Sequence, residues 1–280
     1  MLWVTVVFAI LAAPLWAGDF EGARQLYQRT AYEAALRVLD ADGSQDTRVL
    51  LLAGQIYYQL GKYKEASEQL EKASQLEPGS AELFLWLGRS LGRRAETSSV
   101  FTAPGYAGRC REALERAVAL DGKNVEAMSD LAAYYLEAPG FLGGSVEKAE
   151  KLAPQIAALD AAEGQSVQAR IAEKRQDFSR AAAHLRRAVK LAPRQIDRQI
   201  DLAKFFARRG EVQQSEQALA KAAVTPEPPK LLFARAEMYI RQERNLEEAR
   251  ELLRRYLQMP LTPEDPPRRE AERLLAKVGG

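Results

Sequence analysis

The feature that most constrains this chain is a 34-residue recurrence. Ala181, Ser215 and Ala249 stand 34 residues apart, as do Leu185, Leu219 and Leu253, and Ala188, Ala222 and Tyr256. Three columns in step mean that one structural unit is copied along the chain. Its clearest copy is 47–80, TRVLLLAGQIYYQLGKYKEASEQLEKASQLEPGS. There Leu50, Ala53, Gly54 and Tyr57 recur with the period of an α-helix, not with the alternation of a strand. Gly61 breaks that helix, Tyr63 opens a second one with Ala66, Leu70 and Ala73 on its apolar side, and Pro78 closes it. A lone helix pair cannot bury its apolar face, so its copies must stack. The fold class this dictates is all-α, an α-solenoid of helix-turn-helix units.

Read with that template, the chain divides into units at 19–46, 47–80, 81–124, 125–161, 162–195, 196–229 and 230–263. A polar-faced capping helix follows at 264–278. Two units depart from the period. In the third, Cys110 stands 44 residues after Ala66 instead of 34. The surplus falls between Arg93 and Arg109, a stretch rich in Ser, Thr, Gly and Pro that reads as a loop. In the fourth, a shorter surplus falls at EAPGFLGGS, where three glycines and a proline oppose helix. Loops on a rigid scaffold carry binding disproportionately, which makes Pro104, Tyr106, Pro139, Phe141, Gly143 and Gly144 candidate partner-binding residues. Both inserts contain Ala-Pro-Gly, at 103–105 and 138–140, and are expected to pack together on one edge.

With these columns in view, the chain resembles a tetratricopeptide repeat protein over nearly all its length after the N-terminal segment, and LAGQIYYQLGKYKEASEQLEKASQLEP is the closest copy of that pattern. The first-helix Trp usual in the family is replaced by Leu50, Phe84 or Met128. The stretch 125–161, with YYLEAPGFLGGSVEKA, resembles a segment of bacterial exported tetratricopeptide proteins and of the regulator of microtubule dynamics family. The resemblance implies a right-handed solenoid that binds a protein or an extended peptide, without a cofactor. It does not extend to the chaperone-tail-binding members, whose Asn positions hold Gln55, Arg89 and Ala133 here.

A stacked array of this kind presents a concave surface lined mainly by the first helix of each unit. Register places Arg48, Leu51, Gln55, Tyr58, Leu85, Arg89 and Arg93 there from the first half of the array. Glu126, Asp130 and Glu137 follow as an acidic patch, then Arg170, Lys174, Lys204, Arg208 and Arg241 as a basic run suited to acidic or carboxylate-ended peptides. Trp86, Tyr134 and Tyr135 lie beside core positions and are expected to pack between units.

The remaining signals exclude more than they assign. Forty Lys and Arg balance 38 Asp and Glu, without the clustered basic footprint of a nucleic-acid binder. Cys110 is the single cysteine, so neither an intramolecular disulfide nor a cysteine-based metal site forms; its place in the repeat is a core position. The single histidine, His184, has no second metal ligand or partner base near it in sequence. An enzymatic or carbohydrate-binding helical array would need clustered ionisable residues in a closed pocket, and no spacing here provides one. No catalytic, cofactor or metal residue is therefore expected.

Residues 1–18, MLWVTVVFAILAAPLWAG, contain no charged side chain. The run falls short of the ~20 residues that span a bilayer comfortably, and Ala17 and Gly18 suit a cleavage site. Residues 1–17 read as a signal peptide, which predicts an exported, periplasmic protein. The alternative is an N-terminal anchor holding an assembly or secretion factor at the inner membrane, facing the periplasm. Membrane contact is expected only in that second case.

Overall fold

A computed structural model describes residues 20–222 and 226–279; the 1–17 segment lies outside them. The architecture is all helical, as the periodicity predicts. Fourteen helices form seven consecutive hairpins: α1 (Phe20–Gln28) with α2 (Tyr32–Asp42), α3 (Thr47–Gln59) with α4 (Tyr63–Leu76), α5 (Ala81–Thr97) with α6 (Ala103–Leu120), α7 (Val125–Glu137) with α8 (Val146–Leu159), α9 (Ala161–Lys174) with α10 (Phe178–Leu191), α11 (Ile196–Arg208) with α12 (Val212–Ala222), and α13 (Pro229–Arg241) with α14 (Leu246–Gln258). The last helix, α15 (Arg268–Val278), packs on α14 and α13. No helix among the described residues is long and apolar enough to cross a membrane.

The hairpins close because small residues let paired helices approach. A Cβ on Gly54 would collide with Leu70, and one on Gly88 with Leu114, so each glycine of a first helix receives a leucine of its second. The turns between helices need a left-handed residue, supplied by Gly61 at φ 70° and Gly210 at φ 74°; Thr30, Gln176 and Asn245 accept that conformation elsewhere. Asp46, Asn124, Ser145, Asp160 and Asp177 cap helix N-termini by accepting backbone N–H bonds, satisfying donors that a helix start leaves free. The apolar columns of the sequence form a nearly continuous core between units, with Ile56, Leu70, Leu83, Leu91, Met128, Ile156, Leu219, Leu253 and Tyr256 fully buried. Cys110 lies in that core, and burial pushes its thiol up to about 12.

One expectation is overturned. The surplus between Arg93 and Arg109 is not a loop: it lengthens the hairpin, α5 to 17 residues and α6 to 18, against 13 and 14 in α3 and α4. Only 98–102 connects them. Pro104 sits in the first turn of α6, where its missing N–H costs nothing and its fixed φ suits the helix. Tyr106 is helical too, with the Arg94 guanidinium stacked 4.2 Å from its ring centroid. At 1.5 Å per residue, four added residues carry the tip about 6 Å past its neighbours.

A second feature has no counterpart in the periodicity. The segment after α14 does not leave the array but returns to its second hairpin. The Gln59 side-chain amide donates to the Pro263 carbonyl at 2.9 Å, and Arg269 donates to the Gln59 carbonyl at 3.1 Å and to the Tyr63 hydroxyl at 2.6 Å. These contacts span more than 200 residues and close the solenoid on itself.

Candidate functional site

The concave face is lined by α3, α5, α7, α9, α11 and α13, and its charges are paired from one helix to the next. Arg89 of α5 reaches Asp130 at 2.6 Å and Glu126 at 2.9 Å on α7. Glu163 and Glu173 of α9 receive Arg198 at 2.6 Å and Arg208 at 2.8 Å from α11. Asp197 and Lys204 of α11 meet Lys230 at 3.1 Å and Glu237 at 2.8 Å on α13. The predicted basic run is thus largely neutralised: Arg170 pairs with Glu163 at 3.0 Å, and Arg241 lies 3.7 Å from Glu237. Lys174 is exposed and makes no salt bridge. Sequence register found the cations and missed their partners. A search for opposite charges about one repeat apart would have found them, since Arg208–Glu173 and Arg198–Glu163 are separated by 35 residues, and Lys230–Asp197 by 33.

Two carboxylates in this trough are raised above the ordinary aspartate value. For Asp130 the cause is withdrawal from water, opposed by the Arg89 guanidinium. Asp201 is open to solvent along the trough but crowded by neighbouring helices, whose desolvation raises it while Arg198 and Arg170 pull it down through space.

The first-half candidates divide. Leu85 is buried in the core between units and does not face the groove; Leu51 is half-buried against the same core. Arg48 lies at the start of α3, held by Asp46 at 3.2 Å and stacked over Phe20. Tyr58 packs edge-on against Tyr63 and Trp86, both at 5.6 Å between ring centroids. Gln55 is half-buried on α3. Trp86, Tyr134 and Tyr135 take part in packing between helices, Tyr134 and Tyr135 edge-on at 6.3 Å.

A cavity of about 400 Å³ opens where α5, α6 and α7 meet. Its floor is Gly88, Gly92, Ala95, Cys110 and Leu114, and its rim includes Ala133, Glu137, Pro139 and Leu142. Both departures from the repeat contribute: α6 supplies Ala107, and the 138–145 loop supplies Pro139 and Leu142. The loop is fastened by hydrogen bonds from Arg111 Nη1 and Tyr134 Oη to the Leu142 carbonyl, at 3.1 and 2.9 Å. Gly143, at φ 90°, leaves room for the Arg111 guanidinium, and Gly144 lies against the Ala138 carbonyl. Residues 103–105 are the first turn of α6, and both Gly105 and Gly140 have open space around them; α6 reaches the 138–145 loop further along, through Arg111. Glu137, at the mouth, is exposed and makes no salt bridge. The cavity therefore offers an apolar floor, a border of the paired Arg89–Asp130 and Arg93–Glu96, and the open carboxylate of Glu137, suited to an aliphatic or aromatic side chain, or to a cationic one with an apolar stem. Two side chains point outward at the tips of the inserts, Phe101 at 92 % exposure and Phe141 at 81 %.

His184 is half-buried, its Nδ1 2.8 Å from Gln165 Oε1, and burial lowers its pKa. Among the described residues no three His, Cys, Asp or Glu are grouped to hold a metal ion.

A family model described as TPR repeat matches residues 54–93, and one described as tetratricopeptide repeat matches 166–229 and 200–266. No match was found among curated protein sequences. Among solved structures, a tetratricopeptide repeat protein from Parabacteroides merdae superposes with a TM-score of 0.58 at 14% identity, over 93% of this chain and 97% of that one. A thermophilic TPR protein from Thermus thermophilus gives 0.55 at 21% identity, over 67% and 96%. The APC/C hetero-tetramer Cut9–Hcn1 gives 0.51 at 15% identity, over 91% and 48%. At these identities the likeness is one of fold.

Proposed function

We propose, for a chain that belongs to the tetratricopeptide-repeat family and has the scaffold of a protein-interaction adaptor, that it captures an extended protein segment along its concave face without catalysing a reaction. The observation that carries this is the cavity between α5, α6 and α7. Both departures from the regular unit line it, so it belongs to this chain and not to the repeat in general. The paired charges of the later hairpins leave little free cation to attract an acidic peptide. An apolar or cationic anchor residue entering beside Glu137 is the better match.

The uncharged 1–18 stretch supports action outside the cytoplasm. N-terminal sequencing of the mature protein from its native host is expected to begin near Gly18 or Asp19; a start at Met1 would replace the exported reading with the anchored one.

Filling the cavity tests the binding site. Ala133 lies at its rim with a partly open side chain, so Ala133→Phe is expected to keep the fold and its melting temperature. Peptides selected from a displayed library by the wild-type chain should bind that variant at least tenfold more weakly, about 1.4 kcal/mol. Equal binding by a variant that remains folded would move the site elsewhere.

A further inference from the structure

The return of the C-terminal segment defines a corner that no repeat pattern predicts. It is made by Gln59, Gly61, Tyr63 and Arg93. Gln59 is only 7 % exposed, yet its side-chain amide and its carbonyl are both engaged by residues of the tail, Pro263 and Arg269. The Tyr63 hydroxyl accepts from Arg269 and also from Arg93 at 3.2 Å. Both guanidinium groups lie over the Tyr63 ring, at 5.4 and 5.3 Å from its centroid. Gly61 completes the seat, because a Cβ there would overlap the Arg269 guanidinium. The occupant is a prefolded, proline-rich turn, LTPEDPP, running into the first residues of α15, Arg268 and Arg269. The Asp265 carboxylate accepts from the Thr262 N–H and hydroxyl, and the Tyr256 hydroxyl donates to the Pro266 carbonyl.

The fit is specific but thin. α15 packs on its own neighbours, α13 and α14, and reaches the second hairpin through side chains. A cavity of about 460 Å³ remains beneath the segment, bordered by Asp197, Lys230 and Phe233. The segment is also tethered between α14 and α15, which gives it a high local concentration.

We propose that this corner is a docking site for a proline-rich turn followed by an arginine at a helix start, filled in cis by residues 263–269 and in trans by a partner protein that presents the same features. The recognition chemistry is the one on view: a turn carbonyl for the Gln59 amide, and a guanidinium for the Gln59 carbonyl and the Tyr63 face. Proline stiffens the incoming segment and reduces the entropy lost on docking. The corner adjoins the Gly88–Leu142 cavity but does not include Ala133, so the two sites are separable by mutation.

The test uses a fluorescein-labelled peptide of residues 259–273 and the chain from residue 20 onward, read by anisotropy. Wild type should bind weakly, because the tether occupies the site. Arg269→Ala, which frees the Gln59 carbonyl and the Tyr63 face for an arginine supplied in trans, should bind the peptide about tenfold more tightly or better, and should lose that gain for a peptide carrying alanine at 269. Adding Gly61→Asn to R269A should abolish binding. Gly210→Asn makes the same backbone demand in a turn with nothing nearby, and should leave it intact. Ala133→Phe in R269A should also leave it intact, which separates failure here from failure of the cavity. Equal affinity of wild type and R269A, indifference to the peptide arginine, or loss with Gly210→Asn would each overturn the proposal.

Discussion

At the scale of single residues, the concave face is governed by how its charges are answered. Asp130 and Asp201 are both raised by desolvation, but Asp130 has Arg89 in contact and Asp201 has no salt bridge. A carboxyl whose folded pKa lies above its unfolded value binds its proton more tightly in the native state. Its contribution is therefore favourable below the unfolded pKa and is lost as pH rises through the folded one. Asp201→Asn should stabilise the protein at pH 7, by less than about 1 kcal/mol because the carboxylate still touches water. The gain should vanish below about pH 4, where wild-type Asp201 is protonated as well. Thermal melts of both proteins from pH 3 to 8 would show curves that converge on the acid side; parallel curves would contradict the desolvated environment. Arg89→Ala should act oppositely, costing about 1–2 kcal/mol at pH 7 by leaving Asp130 unanswered.

At the scale of elements, the hairpins follow directly from the sequence because their period is set by local chemistry. Apolar columns, a glycine or asparagine turn and a capping Asp, Asn or Ser all lie within one unit. The α5–α6 insert misled for the same reason. Ser, Thr, Gly and Pro are counted against helix, but Pro104 stands where a helix begins, and Ala103, Ala107 and Cys110 continue it. The 138–145 break was legible, because Gly143 takes the left-handed conformation, at φ 90°, that glycine favours; Gly140–Leu142 forms one 3-10 turn within it. Its tight point is Gly144, where a Cβ would overlap the Ala138 carbonyl, whereas Gly140 has open space around it. Gly144→Ala should cost about 2 kcal/mol or more by forcing backbone apart, and Gly140→Ala should stay within about 0.5 kcal/mol. Urea unfolding of the pair gives the comparison directly. The charges that answer Arg198, Lys204 and Arg208 lie on neighbouring units, so no reading of a single helix could supply them.

At the scale of the molecule, closure changes what kind of object the array is. In an open solenoid each unit feels only its neighbours. Here Gln59 and Tyr63 are bonded to residues of the final segment, so the second hairpin and the end of the chain share a fate. Deleting residues 260–279 uncovers Leu253 and Tyr256, and loosening of the last hairpin is expected on any account. The discriminating readout is amide hydrogen exchange across 56–66. Protection there should fall in the truncated chain while 128–136, far from the deletion in both directions, keeps its rates. Unchanged exchange at 56–66 would show that the ends are energetically independent. None of this was legible beforehand, because contacts across 204 to 210 residues leave no periodic trace.

The return of Arg269 to the Gln59 corner also bears on how such a chain can evolve. Repeat proteins usually gain and lose units by duplication, since a longer array is simply more of the same. A chain whose last helix must meet its second hairpin has lost that freedom. Removing or adding one unit would displace Arg269 from its seat by about the width of a packed helix or more, ~10 Å, beyond the reach of its side chain. The copy number is then fixed by geometry, and change is diverted into the turns, where α5–α6 and the 138–145 loop have lengthened without disturbing the count.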